Sequence, residues 1–221
     1  MRLVSIQVGK PAKLGAPGAA DPFDHPWTTG YRKEPVRGPV QCGRLNLAGD
    51  GQHDQRWHGG PEMAVLAYSA DHYARWNAEA GGDGLGPGAF AENLTVGGAD
   101  EESVCIGDVW ALGEALLQVS EPRKPCNNIS RFHHRKALLR QVIDTARYGW
   151  YLRVLREGLL EAGQEVRLVR RPQPAWTVAR AMAARLRLSK APEEARALAA
   201  LPELGSDWRE ILLEKLAGRE Q

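Results

Sequence analysis

The chain of 221 residues has few cysteines, and no two of them stand in the spacing of a metal or redox motif. Cys42, Cys105 and Cys126 are odd in number and far apart, which argues against a disulfide framework and against a Cys-x-x-Cys zinc site. Unpaired, reduced thiols are typical of the cytoplasm. We therefore expect a cytoplasmic location.

Long apolar runs and an excess of charge of one sign are also missing. No stretch approaches the roughly 20 apolar residues that cross a bilayer, and the N-terminus has no apolar region of signal-peptide length. The 29 Lys and Arg against 27 Asp and Glu leave a net charge of +2, far below the basic excess of a dedicated nucleic-acid binder. The composition predicts a soluble globular protein with neither a membrane nor a nucleic acid as partner.

Short alternating apolar runs, separated by glycine and proline, fill the chain up to about residue 171. This pattern predicts a mainly β domain with strands at residues 4–8, 64–68, 103–106, 109–112, 115–119 and 166–169. Helical periodicity predicts three helices packed on the outside of a barrel. Ser69 would cap the first, and the inward faces would carry Tyr73, Trp76 and Ala80, then Leu138, Leu139, Val142 and Ile143, then Tyr148, Tyr151, Val154 and Leu155.

The segment after the Pro-flanked junction at residues 172–174 has no strand pattern and contains three helical stretches. We predict a β domain over residues 1–171 and a small three-helix domain over residues 172–221. Because its charges are balanced, this domain is either a docking unit or a packing appendage. The three helices would begin at Thr177, Pro192 and Ser206. The first helix would bury Ala179, Met182, Ala183 and Leu186. The third would bury Trp208, Ile211, Leu212 and Leu216.

A cysteine stands where the strand at residues 115–119 gives way to two prolines. Pro122 and Pro125 fix φ and remove backbone donors, so the residues after the strand form a stiff, non-helical shelf. The shelf presents Cys126 next to Arg123 and Lys124, whose charge favours the thiolate that attacks electrophiles and binds metals. A small buried apolar role for this thiol remains an equal alternative.

A polar, glycine-rich segment precedes the second predicted strand. Asp50, His53, Asp54 and His58 are potential metal ligands, but their spacing matches no established metal motif. The glycines that follow, Gly59 and Gly60, let the main chain approach a ligand closely and point N–H groups at an anion. The segment therefore favours an oxyanion or phosphate over a metal cage.

A third segment contains Gly84, Gly86 and Gly88, which loosely match a dinucleotide-binding pattern. The segment neither follows a strand nor opens a helix, so we reject that assignment. Glu92 and Asn93 come directly before a short strand and are typical of a carboxylate and an amide that fix a loop.

Together these segments and their order resemble the MOSC domain, named for the C-terminal part of molybdenum-cofactor sulfurases, and within it the bacterial YiiM-like branch. The resemblance covers nearly the whole chain, including the lysine-bearing strand entrance and the terminal helices. Its blocks are Tyr31-Arg32-Lys33-Glu34-Pro35-Val36, Gly49-Asp50-x-Gln52, His58-Gly59-Gly60-Pro61, Phe90-Ala91-Glu92-Asn93-Leu94 and Gln118-Val-Ser-x-Pro122-Arg123-x-Pro125-Cys126. Two positions depart from the family pattern: Ala91 replaces a usual glycine, and Asn128 a common lysine.

The resemblance implies a MOSC-type β-barrel with peripheral helices, followed by a three-helix bundle, and a site for the molybdenum cofactor, a pyranopterin dithiolene. Cys126 matches the cysteine whose thiolate binds molybdenum in related enzymes. Lys33 and Arg123 are the candidates for the cofactor's phosphate, whereas Gly59, Gly60 and Asn93 would face the pterin or the oxo groups. His58 would be the proton donor.

The reaction implied by this resemblance is reductive removal of oxygen from an N-hydroxylated compound, such as a hydroxylaminopurine base analogue. The chain has no flavin, nicotinamide or iron–sulfur binding pattern, so turnover would need an external electron-transfer protein. Two alternatives stay open: Cys126 could carry a persulfide for sulfur transfer, or the protein could be a non-catalytic carrier of the cofactor. Pyridoxal phosphate is a further ligand at the family level, and a homodimer is a further option.

Overall fold

The computed structural model describes residues 1–79 and 84–218. In these ranges the strands are β1 (Arg2–Val8), β2 (Ala12–Leu14), β3 (Trp27–Thr29), β4 (Glu34–Pro35), β5 (Val40–Cys42), β6 (Val65–Ser69), β7 (Leu94–Gly97), β8 (Val109–Leu112), β9 (Ala115–Pro122), β10 (Trp150–Arg156), β11 (Gly158–Leu160) and β12 (Val166–Arg170). The α-helices are α1 (Gln55–His58), α2 (Asp71–Glu79), α3 (Asn128–Phe132), α4 (Leu138–Thr145), α5 (Val178–Leu186), α6 (Pro192–Ala199) and α7 (Ser206–Ala217). Short 3₁₀ helices span Pro22–Asp24 and Pro61–Met63.

Eight strands form one curled sheet in the order β12-β8-β9-β10-β6-β7-β1-β4. Neighbouring strands are antiparallel, except that β6 and β7 are parallel and are connected through α2. The sheet closes on itself because Arg2 forms a bridge with Glu165 and the N–H of Leu3 donates to the carbonyl of Gln164 at 3.0 Å. The structure thus confirms the predicted mainly β barrel with peripheral helices.

Large aromatic side chains fill the barrel. Trp110 of β8 and Trp150 of β10 are fully buried and meet edge to face, with ring centroids 5.9 Å apart. Tyr68 and Phe90 stack at 4.6 Å between centroids. Because such rings bury about 150–250 Å² each, they dominate the energetics of a core.

Five of the six predicted strands are present, and the strand predicted at residues 115–119 extends to Pro122. The strand predicted at residues 103–106 is wrong, since this segment is a turn with an isolated bridge between Cys105 and Thr177. The Asp100 carboxylate accepts from the N–H of Ser103 at 3.0 Å, and the Asp108 carboxylate from the N–H of Cys105 at 2.9 Å. These local bonds replace those of a ladder.

The helix predicted around Tyr148 and Tyr151 is also wrong, because residues 150–156 form β10 between β9 and β6. Trp150, Tyr151 and Leu152 are all buried, and a strand buried on both faces loses the alternation that distinguishes it from a helix. The other two barrel helices are confirmed as α2 and α4, although Ile143, predicted to face inward, is exposed. Ser69 Oγ accepts from the N–H of Asp71 at 3.3 Å, as a capping residue would, and the predicted inward residue Ala80 lies outside the described residues.

The three predicted C-terminal helices are present as α5, α6 and α7. Thr177 Oγ1 accepts from the N–H of Arg180 at 3.1 Å, which confirms the predicted cap of α5. Some details differ. Leu186 is 58% exposed instead of buried, and Ala179, Ala183 and Ile211 are only partly buried. Gly205 instead of Ser206 is the N-cap of α7. None of the helices in residues 1–79 and 84–218 is both long and apolar enough to cross a membrane.

Candidate functional site

A cavity of about 110 Å³ opens beside the end of β9. Five of the seven predicted site residues line it: Lys33, His58, Asn93, Arg123 and Cys126. Gly59 and Gly60 are not among the lining residues. The same wall includes both residues that depart from the family pattern, Ala91 and Asn128. Segments that are far apart in the sequence therefore meet at one concave surface.

The thiol of Cys126 reaches this cavity from a segment of irregular backbone. Residues 123–126 follow β9 in neither helix nor strand, as the two prolines predict. The N–H of Arg123 donates to the carbonyl of Gly149 at 3.0 Å, and the carbonyl of Cys126 accepts from Ile129 at 3.1 Å. Cys126 is half-buried, whereas Cys42 and Cys105 are buried. Cys126 is thus the cysteine placed to meet a ligand.

Arg123 contributes a buried guanidinium to the cavity wall. Burial lowers its pKa, but the neighbouring groups of Tyr31, Tyr151 and Cys126 outweigh this effect and raise the pKa above its ordinary value. The Nη1 atom is buried and has no hydrogen-bond partner among the described residues. Since buried cations are normally paired, Arg123 offers an anion a site in the cavity.

Lys33, just before β4, forms an ion pair with Asp50, and both side chains are almost completely buried. Asp50 Oδ1 also accepts from the N–H of Gly9, and Oδ2 accepts from Asn93 Nδ2, each at 2.9 Å. Desolvation lowers the pKa of Lys33, while Asp50 opposes this shift. The charge of Lys33 is therefore balanced inside the protein. Sequence reasoning treated Asp50 as a possible metal ligand and missed this pairing.

We expect Lys33→Met to lower the free energy of unfolding by about 3–5 kcal/mol, because it leaves the Asp50 carboxylate buried without its partner. The double variant Lys33→Met/Asp50→Asn should recover a large part of this loss. Urea unfolding of the two variants measures both effects, with Lys13→Met on the exposed strand β2 as the control. A Lys33→Met variant as stable as the control would contradict the structural role of the pair.

Asn93 and Glu92 fix the loop before β7. Asn93 Nδ2 donates to the carbonyl of Gln7 at 3.2 Å and to Asp50, and Asn93 Oδ1 accepts from the N–H of Leu66 at 3.0 Å. The amide therefore ties β1 to β6, and both of its hydrogens are used. Glu92 is fully buried and accepts hydrogen bonds from four donors: the N–H groups of Gly88 and Phe90 and the hydroxyls of Tyr73 and Thr95.

Ala91, between these anchors and the cavity, has a φ of +60°. The left-handed conformation costs an L-residue about 1–2 kcal/mol, which glycine avoids. We expect Ala91→Gly to raise the free energy of unfolding by up to about 1 kcal/mol, after subtraction of the added freedom of the unfolded chain. Ala89→Gly, at a position without positive φ, should instead lower it by about 0.5–1 kcal/mol. Urea unfolding compares the two variants, and an equal loss in both would contradict the strain at Ala91.

His58, the last residue of α1, is half-buried and lines the cavity. Desolvation, together with the charges of Arg123 and Lys124, lowers the pKa of its imidazole, whereas Asp54 opposes this shift. The ring is therefore mainly neutral at pH 7. Gly59 shapes the turn after His58, since a Cβ there would lie 3.2 Å from the Cα of Gln55.

Among the described residues of the cavity, no three side chains converge in the way that a metal ion held by the protein alone requires. In the part of the chain that the structure describes, the one cluster of three potential ligands consists of Asp21, Asp24 and His134 at the surface. The set considered in the sequence, Asp50, His53, Asp54 and His58, does not converge into such a cluster. The cavity therefore offers a single thiol and an anion site instead of a multidentate protein cage.

Comparison with known proteins assigns the chain to a family. The MOSC domain model matches residues 54–167, about half of the chain. The chain belongs to the MOSC domain family. The model of the YiiM-like 3-alpha helix domain matches residues 176–219, which contain α5, α6 and α7. MOSC domains are generally associated with binding of the molybdenum cofactor.

Curated MOSC relatives include the uncharacterized protein YflK of Bacillus subtilis, which is 40% identical over 176 residues, or 80% of this chain and 76% of that protein. Protein YiiM of Escherichia coli is 34% identical over 139 residues, which span 62% of either chain. A protein of Gibberella moniliformis named "Reductase" is 43% identical over 155 residues, or 68% of this chain. The matched part is only 27% of that longer protein.

Solved structures agree with the fold described for this MOSC protein over nearly all of the chain. The crystal structure of YiiM from Geobacillus stearothermophilus superposes with a TM-score of 0.80 at 32% identity, over 97% of this chain and 98% of that one. YiiM from Escherichia coli superposes with a TM-score of 0.77 at 24% identity, over 99% and 94% of the two chains. Because the Escherichia coli structure is only 24% identical, its match supports the fold and nothing further.

Proposed function

We propose that this MOSC protein binds the molybdenum cofactor at the cavity beside β9 and reduces N-hydroxylated compounds. The observation that supports the proposal is the meeting, in one cavity, of the partly exposed Cys126 thiol and the buried, unpartnered Nη1 atom of Arg123. A soft thiolate suits a sulfur-bound metal, and a buried guanidinium suits an oxyanion or a phosphate.

The dimensions and charges of the cavity fit the reactive end of such a cofactor. A volume of about 110 Å³ exceeds the space that one water molecule needs, and it leaves room for a metal with its oxo groups beside Cys126. Cys126 would hold the metal. Arg123 would bind a negatively charged group, and it is a better candidate than Lys33 because the Asp50 carboxylate already balances the Lys33 charge.

The reaction converts an N-hydroxyl group, two electrons and two protons into an amine and water. The cofactor would supply the two-electron, oxygen-transfer chemistry of molybdenum. His58 would deliver a proton from its imidazolium form. Because the pKa of His58 lies below its ordinary value, this donor form is lost as the pH rises through a value below about 6.5. The electrons would come from an external electron-transfer protein.

The reductase relative supports a redox role for a chain with this domain. A second candidate, sulfur transfer through a persulfide on Cys126, is favoured by the partial exposure of this thiol in contrast to Cys42 and Cys105. The third candidate, a non-catalytic carrier of the cofactor, uses the same cavity without His58 as an acid.

Elemental analysis, mass spectrometry and an activity assay on the purified full chain distinguish these functions. We expect about one molybdenum and one pterin per chain, and reduction of a hydroxylaminopurine in the presence of an artificial reductant. Molybdenum without turnover would instead indicate a carrier. A cysteine mass increased by one sulfur atom, without molybdenum, would indicate sulfur transfer.

A further inference from the structure

The three-helix bundle contacts the same end of β9 that leads into the cavity shelf. The N–H of Gly205, just before α7, donates to the carbonyl of Ser120 at 3.0 Å. Ser120 Oγ donates to the carbonyl of Glu62 at 2.6 Å. From β10, Arg153 donates to the bundle carbonyl of Glu203 at 2.8 Å. We call the Gly205–Ser120 and Arg153–Glu203 contacts the seam between the barrel and the bundle; the Ser120–Glu62 bond lies beside the seam within the barrel.

Glu121 is a buried acid in this seam, and its Oε2 atom has no hydrogen-bond partner among the described residues. A Cβ atom added to Gly205 would lie 2.2 Å from this oxygen and 3.6 Å from Glu62 Oε2. A side chain at residue 205 would therefore have to displace the Glu121 carboxyl from its present position. Glu121 is followed directly by Pro122 and Arg123. A shift of Glu121 would therefore also shift the backbone of the shelf, which carries Arg123 and Cys126.

We propose that Glu121 is a positioning residue for the cavity: its carboxyl, held against Gly205, couples the docking of the three-helix bundle to the placement of Arg123 and Cys126. The coupling rests on the proposed function, because it takes the cavity beside β9 to be the functional site. It gives the bundle a part in the chemistry, although the bundle contributes none of the residues that line the cavity.

Charged groups from several elements surround Glu121. Burial raises its pKa to about 8; Lys124 of the shelf and Arg185 of α5 oppose this shift, whereas Asp207 of α7 and Glu62 of the Pro61–Met63 helix add to it. Glu121 is thus mostly protonated at pH 7 and ionises above about pH 8. Because the folded-state pKa is raised, its contribution to stability is complete below the ordinary value near 4.5 and is lost as the pH rises to about 8.

Two neighbours connect this carboxyl with the cavity. Burial raises the pKa of Tyr151, which lines the cavity, and the charges of Glu121 and Cys126 add to this shift. Desolvation lowers the pKa of Lys124, and the charge of Glu121 opposes this shift. The pKa of His58 is lowered by desolvation and by Arg123, and Lys124 adds a smaller effect of the same sign. A change in the position or charge of Glu121 therefore alters the electrostatic potential at both Tyr151 and His58.

The first test is steric and compares two glycine substitutions at the two ends of α7 in the full-length chain. Gly205→Ala forces a methyl group against Glu121, whereas at Gly218 the nearest neighbour of a Cβ is Glu214 O at an ordinary 3.5 Å. The readout is the rate at which iodoacetamide modifies Cys126, identified by peptide mass spectrometry. We expect Gly205→Ala to change this rate by about fivefold or more, as is typical of coupled sites, and Gly218→Ala to leave it unchanged.

The second test uses Glu121→Gln, which keeps the shape of the neutral carboxyl, and it stands even if Gly205→Ala does not fold. The labelling rates of variant and wild type should agree near pH 6.5 and diverge near pH 9, where the wild-type carboxylate is charged. Equal rates at both pH values would overturn the proposal, as would equal rates for the two alanine variants. Molybdenum content is measured in every sample and rates are compared at equal content, because a Cys126 thiolate bound to a metal would be shielded from iodoacetamide. A chain without molybdenum still gives the readout, so failure of this test and failure of the proposed function are distinguishable.

Discussion

Cys126→Ser is expected to abolish molybdenum content and N-hydroxyl reduction together. A serine hydroxyl is a poor replacement for a soft thiolate toward a sulfur-bound metal, and the cavity offers no second thiol among its lining residues. The fold should remain intact, because residue 126 lies on a partly exposed shelf outside helices and strands. Molybdenum per chain by plasma mass spectrometry, with circular dichroism as a check of folding, measures the effect.

The matched controls are Cys42→Ser and Cys105→Ser. Both thiols are buried, and burial raises the pKa of Cys42 to about 12, so this group stays a thiol. Cys105 Sγ lies 3.5 Å from the carbonyl of Pro174, its hydrogen-bond acceptor. We expect these variants to keep molybdenum per folded chain. Full molybdenum in Cys126→Ser, with loss in either control, would show that the ligand assignment is wrong.

His58→Gln is expected to keep the cofactor and to lower the rate of N-hydroxyl reduction per bound molybdenum by ~10²–10⁴, the typical contribution of a general acid. Glutamine retains hydrogen bonding but carries no proton to donate. In the wild type the rate should fall as the pH rises through the lowered pKa of His58, and this titration should disappear in the variant. The measurement is a pH profile of rate divided by molybdenum content.

His53→Gln provides the control, since His53 also lines the cavity but is exposed. Its pH profile should match that of the wild type. An unchanged rate and profile in His58→Gln would remove the acid role from His58. Reduced molybdenum content with a normal rate per molybdenum would instead indicate that His58 holds the loop.

Local patterns predicted much of the barrel because most of its strands alternate and end at glycine or proline. The strands predicted at residues 109–112 and 115–119 are joined by a tight turn at Gly113, whose φ is +53°. Both the strands and the turn are visible in the local sequence. β10 was missed because tertiary pairing on both sides, with β9 and β6, determines its conformation. A sequence window that contains one strand holds no information on such neighbours.

The residues of the site also divide into those recognisable from local sequence and those defined by tertiary contacts. Cys126, Arg123 and His58 stand next to prolines and glycines, so their segments could be recognised locally. Asp50 and Glu121 could not be assigned, because each depends on a distant residue, Lys33 and Gly205 respectively. Buried acids such as these are defined by their partners, and sequence spacing does not reveal the partners.

The closure of the barrel sets the order in which the protein can be completed during synthesis. β1 pairs with β7 on one edge and with β4 at the end of the other, whereas the start of that second edge bonds to residues 163–166. This part of the first strand therefore stays unpaired until nearly three quarters of the chain has left the ribosome. Unpaired edges of this kind invite association with other chains. The nascent protein should therefore be most vulnerable to aggregation late in translation, just before the helices of the bundle emerge.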